Sequence, residues 1–188
     1  MVATPSEMVP LGTPMPAFTL HDPSGTEHDS ARLMGEHGLL VMFICNHCPF
    51  VKHVAAELAR LGHDLPKKGV NLVAIHSNDF ERYPEDAPNR IDEEAEAHGY
   101  EFVSLVDVTQ EVARAFRAAC TPDFFLYDGD GRLFYRGQLD GSRPSNDVPV
   151  TGADLRAAVD RLVAGEEPPA EQVPSLGCNV KWKEPAGA

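Results

Sequence analysis

An apolar run, Leu39-Leu-Val-Met-Phe-Ile44, leads without a polar break into Cys45-Asn-His-Cys48 and then Pro49. A short continuous apolar run of this kind reads as a strand buried on both faces. Proline suits the first turn of a helix, where its missing N–H has no partner to lose. The cysteines therefore sit where a strand passes into a helix over roughly 48–62. Val51, Val54, Ala55, Leu58 and Leu61 recur there at helical spacing, with Gly62 expected to close it. A helix start offers unpaired N–H groups and the positive end of its dipole, and both stabilise a thiolate. Cysteines three apart on one helical turn are close enough to join as a disulfide. The expected chemistry is that of a redox dithiol with Cys45 as its nucleophile.

Length and charge narrow the setting. A chain of 188 residues fits one domain with a full core, expected over 1–165, with 166–188 as a Pro-rich tail that is not an independent domain. The formal net charge of −13 makes nucleic acid and anionic membrane unfavourable partners. No apolar run is long enough to cross a bilayer. Met1–Glu7 carries no basic or apolar leader pattern, so a cytoplasmic location is expected. Four cysteines in a chain of this size point to catalysis or metal rather than to a disulfide scaffold.

The remaining pattern alternates strands with helices. Residues 1–16 read as an irregular arm, with a short strand near Phe18–Leu20. Asn71–Ile75 is a second buried strand, so a right-handed parallel crossover is expected. A polar helix over 89–98 stopped by Gly99, a strand near 102–105 and a helix over 109–118 follow. Phe124–Tyr127 and Arg132–Arg136 flank Asp128-Gly-Asp-Gly131, a hairpin signal. That turn faintly matches a calcium loop, but Arg132 stands at a ligand position and no ligating Glu follows. A last amphipathic helix spans about 152–162. The fold class is α/β, a central mixed sheet covered by helices.

Each candidate site has a competing account. Cys45 and Cys48 could form half of a zinc site, yet Cys120 and Cys178 are single and distant, so a second close ligand pair is missing. No metal and no organic cofactor are expected, since a dithiol carries its own two electrons. His47, as imidazolium or N–H donor, would stabilise the Cys45 thiolate and make the disulfide more oxidising; otherwise it is an exposed histidine. Pro122 at the entrance of a strand suits a tight turn beside which the Thr121 backbone could pair with an extended substrate peptide. His76 and Asp79 follow the second strand, as proton acceptors for Cys48 or as ordinary strand-end polarity.

The chain resembles the thioredoxin superfamily, specifically its peroxiredoxin-like branch of AhpC/TSA-type redoxins with a Cys-x-x-Cys. The matching segments are Phe43–Lys52, Tyr83-Pro-Glu-Asp86, Thr121–Asp128, Tyr135-Arg-Gly137, Asp140–Pro144 and Pro174–Lys183. The resemblance implies a thioredoxin fold with an extended N-terminus and an insertion after the first βαβ unit. It also implies that Pro122 is a cis-proline facing the dithiol. Departures from the peroxiredoxin pattern are equally informative. Val41 stands where that pattern has proline, Cys45 where it has threonine, and its arginine is missing at Thr121-Pro122. Asn-His within the dithiol also departs from the Gly-Pro of thioredoxin and is similar to DsbA-type oxidants in its histidine.

The resulting expectation is a thiol–disulfide oxidoreductase acting on protein or small-molecule disulfides and regenerated by a thiol reductant. Cys45 attacks and Cys48 resolves. A thiol peroxidase and a zinc- or protein-binding module are the alternatives. Cys178 is either a resolving thiol delivered by a mobile tail or a buried anchor beside Trp182. Cys120 is either its disulfide partner or packing.

Overall fold

Residues of the first apolar run face alternately two ways, and both ways are buried. In the computed structural model, which describes residues 3–184, Leu40, Met42 and Ile44 enter one core cluster and Leu39, Val41 and Phe43 another. The run is strand β4 (Gly38–Phe43), and its period-2 side chains build the two layers that enclose the sheet.

Before it lie β1 (Ala3–Pro5), β2 (Thr19–His21), β3 (Glu27–Asp29) and the single-turn helix α1 (Ser30–Leu33). After it come α2 (Pro49–Asp64), β5 (Val70–His76), α3 (Pro88–His98), β6 (Val103–Val106) and α4 (Glu111–Phe116). The chain then forms β7 (Cys120–Thr121), β8 (Asp123–Asp128), β9 (Leu133–Gly137), α5 (Ala153–Val163) and β10 (Leu176–Asn179). Seven strands form one sheet in the order β3-β2-β6-β5-β4-β8-β9. β4, β5 and β6 run parallel, while β8 and β9 add an antiparallel hairpin. Apolar side chains of α2 and α5 share a cluster with Leu40 and Met42, while Ala113 and Phe116 of α4 lie in the cluster of Leu39 and Val41. Among the described residues no helix is long and apolar enough to cross a membrane.

The structure corrects several sequence expectations. Gly62 does not end α2. It is buried within the helix, where a Cβ would lie 2.9 Å from Phe102 Cδ1, so it is a glycine of close packing. The turn is closed instead by Gly69 at φ +75°, after the single 3₁₀ turn Pro66–Lys68. The helix near 109–118 is shortened by Gln110 and Arg117, both in left-handed conformation.

The described N-terminal arm and tail are mostly irregular, but each contributes one short strand, β1 and β10. β10 pairs antiparallel with both β1 and β7, forming a second, three-stranded sheet. Of the two readings of the tail, mobile or anchored, the structure shows it tied in at Leu176–Asn179.

Leu58 on α2 is wholly buried between β4 and α5. Leu58→Ala is expected to destabilise the protein by about 2–5 kcal/mol, read as a fall in urea midpoint at unchanged slope.

Candidate active site

The end of β4 delivers Cys45 to a short loop, and α2 begins only at Pro49, with Cys48 as its N-cap. The helix starts where the sequence pattern placed it, and its dipole acts on Cys48 rather than on the expected Cys45. The Cys48 side chain makes no cap hydrogen bond, but the Val51 backbone N–H favours its thiolate, and the Cys45 and Cys178 thiols lie against it. These contacts hold Cys48 down at about 5, with the Cys45 hydrogen bond the largest cause and burial opposing it. Cys45 is pushed up, chiefly because it donates to Cys48 and because it is buried. Burial first, then the contact with Cys48, pushes the Cys178 thiol up to about 12. The Thr121 carbonyl oxygen, 3.1 Å from Cys48 Sγ, accepts from that sulfur when it is protonated and opposes the thiolate. The two thiols and the nearby N–H outweigh burial and the opposing oxygen and favour a thiolate on Cys48.

Thr121 and Pro122 face this cluster. Their peptide bond is cis, as the resemblance implies, and Thr121 Oγ1 lies 3.3 Å from Cys45 Sγ. Cys178 is opposite Thr121 in the β7–β10 ladder, and its Sγ is 2.7 Å from Cys48 Sγ. Asn179 is opposite Cys120. Successive strand residues point to opposite faces, so Cys178 faces the dithiol and Cys120 faces away. Cys120 is fully buried, its Sγ 3.5 Å from the Pro122 carbonyl oxygen, and burial pushes its thiol up. It is a packing residue on the far side of the ladder from Cys178. Trp182 packs in the other core cluster, under the Arg114 guanidinium at 4.4 Å, so it does not anchor Cys178.

His47 is held rather than exposed. Its Nδ1 donates to Asp86 Oδ2 at 2.7 Å, and its ring stacks on Tyr83 with centroids 5.5 Å apart. The Asp86 hydrogen bond raises its pKa, against burial. Asp86 is the site residue that the sequence pattern did not reveal. It is buried and accepts from the Asn46 backbone N–H at 2.8 Å, the His47 N–H at 3.4 Å and Asn78 Nδ2 at 2.8 Å as well. Burial alone would raise its pKa; these donors, led by His47, lower it. Its only signal in the sequence was Tyr83-Pro-Glu-Asp86, noted as a family segment without a role.

Neither expected proton acceptor meets the dithiol through a hydrogen bond. Burial pushes His76 down to about 4, and neither ring nitrogen has a hydrogen-bond partner. Asp79 shapes the following turn, accepting from Glu81 N at 3.2 Å, and its backbone N–H donates to the Lys181 carbonyl at 2.9 Å. That contact, Lys181 N–H on Asn78 Oδ1 and Gln110 Nε2 on the Lys181 carbonyl fasten the segment after β10.

Cys45 Sγ, His47 Nδ1 and an Asp86 oxygen lie within 4.8 Å of one another, the donor types a divalent cation takes. Asp86 is already engaged by four donor hydrogens, and His47 Nδ1 points its own at the carboxylate. The trio is occupied by an internal proton, which a metal would have to displace.

The described residues also place an arginine near this part of the chain, on the wrong side. Arg136 is fully buried, pairs with Asp123 at 3.1 Å and covers the Phe125 ring at 4.2 Å. Phe125 belongs to the cluster on the sheet face opposite Cys48. Its guanidinium therefore does not serve the sulfur, and the peroxiredoxin arrangement of threonine and arginine is missing here.

The mixed central sheet with its flanking helices is a thioredoxin fold. The chain belongs to the AhpC/TSA family, whose model matches residues 11–136. It is similar, at 51% identity and a TM-score of 0.96, to an uncharacterized conserved protein from Geobacillus kaustophilus, covering 99% of each chain. The hypothetical protein SMc02350 from Sinorhizobium meliloti 1021 is 47% identical with a TM-score of 0.95, over 97% of this chain and 100% of that one. A putative thiol:disulfide interchange protein DsbE from Chlorobium tepidum shares the fold at 17% identity and a TM-score of 0.66, over 83% of this chain and 99% of its own. No curated protein sequence matches the chain.

Proposed function

We propose that the protein is a thiol–disulfide oxidoreductase in which Cys48 is the nucleophile and Cys45 the resolving thiol. The observation that carries this order is Cys48 at the N-cap of α2, with the Cys45 and Cys178 thiols against its sulfur. It reverses the order expected from the motif alone. The Cys48 thiolate attacks one sulfur of a substrate disulfide; a Cys48–substrate bond forms, the substrate S–S bond breaks, and the other half leaves as a thiolate. Cys45 then gives up its proton and attacks Cys48 Sγ, releasing the second substrate thiol. The substrate gains two electrons and the dithiol becomes a disulfide, which a thiol reductant returns to the starting state. No resident metal or organic cofactor enters these steps. His47 and Asp86 fix the loop between the cysteines, and the Asp86 hydrogen bond raises the His47 pKa, favouring its charged form.

Insulin disulfide reduction tests the assignment. Cys48→Ser is expected to lower the rate more than 100-fold, whereas Cys45→Ser accumulates a stable mixed disulfide at Cys48. A Cys48→Ser rate equal to wild type refutes it. Hydrogen peroxide consumption well above the insulin rate, with a thiol donor, would favour peroxidase chemistry at the same sulfur.

A further inference from the structure

A nucleophile must be reached, yet Cys48 is 0% and Cys45 1% exposed. What covers them beside Thr121 is a strand of the chain itself. β10 runs antiparallel along β7, and its cysteine lies at contact distance from Cys48 Sγ. A backbone edge next to a nucleophilic sulfur, with a cysteine held on it in register, has the geometry of an enzyme with a strand-shaped substrate in place.

The fit is selective at one position. A Cβ on Gly177 would fall 2.1 Å from the Thr121 carbonyl oxygen and 2.6 Å from its carbon, both backbone atoms that cannot step aside. Any strand that brings a cysteine to the Cys178 position in this register must carry glycine just before it. One residue earlier, Leu176 borders a hollow shared with Phe50, Pro122, Phe124 and Leu139, which favours an apolar side chain. β10 is held by its ladders to β1 and β7, by Ser175 Oγ donating to the Pro122 carbonyl at 2.8 Å, and by Lys181 on Asn78 and Gln110. These contacts join it to a three-stranded sheet and to loops rather than to the seven-stranded sheet, so they can open together while that sheet stays folded.

The geometry points to β10 as a built-in occupant of a polypeptide-binding edge: a disulfide partner enters as an extended apolar-Gly-Cys segment that takes the place of Leu176–Cys178 on Thr121. This rests on the dithiol reading above and gives its substrate class. The partner's cysteine sulfur meets Cys48 Sγ where Cys178 Sγ stood, and the exchange steps then proceed as described.

Two synthetic peptides, Leu-Gly-Cys-Asn and Leu-Val-Cys-Asn, each as a mixed disulfide with 2-mercaptoethanol, are offered to the reduced full-length protein. The glycine peptide is expected to react at least tenfold faster. Hydrogen exchange on Cys45→Ser trapped with that peptide should show loss of protection at 176–179. In Gly177→Val, iodoacetamide is expected to alkylate Cys48 at least tenfold faster than in wild type, with far-ultraviolet circular dichroism unchanged. Equal rates for the two peptides with insulin reduction intact, or protection retained at 176–179 in the trapped complex, would overturn this inference alone. Failure to exchange with any disulfide, insulin included, overturns it together with the dithiol reading.

Discussion

At about pH 6 the Cys48 sulfur of the reduced protein is expected to be almost wholly thiolate, whereas an unperturbed thiol is roughly 0.3% ionised there. The ultraviolet absorbance of the thiolate reads this without any reagent having to enter the site. An acid titration should show one step near 5, absent in Cys48→Ala. Cys45→Ala and Cys178→Ala should each move it upward, because each deletes an S–H that donates to the thiolate. Alanine is the informative substitution, since a serine hydroxyl would still donate. If no absorbance appears until the pH of an ordinary thiol, the N-cap does not select Cys48 and the order of attack reverts to Cys45 first.

The same titration has a definite sign in stability. The folded Cys48 value lies below the unfolded one, so between about 5 and the ordinary thiol range the unfolded chain binds more protons and stability rises with pH. Cys45 and Cys178 are raised, so their contribution is complete below the ordinary thiol range and is lost as pH climbs through it. Stability against pH should therefore rise and then fall across the alkaline range, and Cys48→Ala should remove the rising limb between about 5 and the ordinary thiol range.

Asp86→Ala is expected to be the most damaging single change near the site. It leaves two backbone N–H groups, an Asn78 amide and the His47 imidazolium without their acceptor, three of these contacts being 2.7–2.8 Å long. Removing one partner of a buried ionic pair costs about 3–5 kcal/mol. The His47 ring should then titrate close to its ordinary value, as followed by the NMR shifts of its ring protons. Asp86 is lowered, so its share of stability is present above the usual carboxylate range and lost as pH falls below it. His47 is raised, so its share is present below the usual histidine value and lost as pH rises through the shifted one. The pair thus supports the loop best in mildly acidic solution. A loss below about 1 kcal/mol with an unmoved His47 titration would show that the carboxylate is dispensable.

Sheet and dithiol were legible in the sequence for a common reason: both are local patterns. Leu39–Ile44 has no polar residue to place at a surface, and Pro49 marks a helix start, so β4, α2 and the cysteines between them follow from neighbours in the chain. What was misread depends on distant partners. Gly62 looks like a helix stop until Phe102 is seen against it. Asp86 is one acid among 29 acidic residues, and only its convergence with His47, Asn46 and Asn78 distinguishes it. Prolines on either side of Leu176–Asn179 and within Ala3–Pro5 suggest loop, yet each strand finds its ladder partner at the opposite end of the chain. The helix start near 48 was legible as well; which of the two cysteines its N-terminus serves follows only from seeing Cys48 at the cap and Cys178 against its sulfur.

The β1–β10–β7 sheet also orders the making of the molecule. β10 lies 130 positions beyond Cys48, and its partner β1 stands at the other extreme, so this is among the longest loop closures in the chain. Such contacts form late, and during synthesis the first βαβ unit is complete long before residue 178 has left the ribosome. Every newly made copy therefore passes through an interval in which the reactive sulfur stands open to whatever thiols and oxidants surround it. Its redox state at birth is set by those surroundings, and once the last strand has docked any further exchange waits on that strand opening.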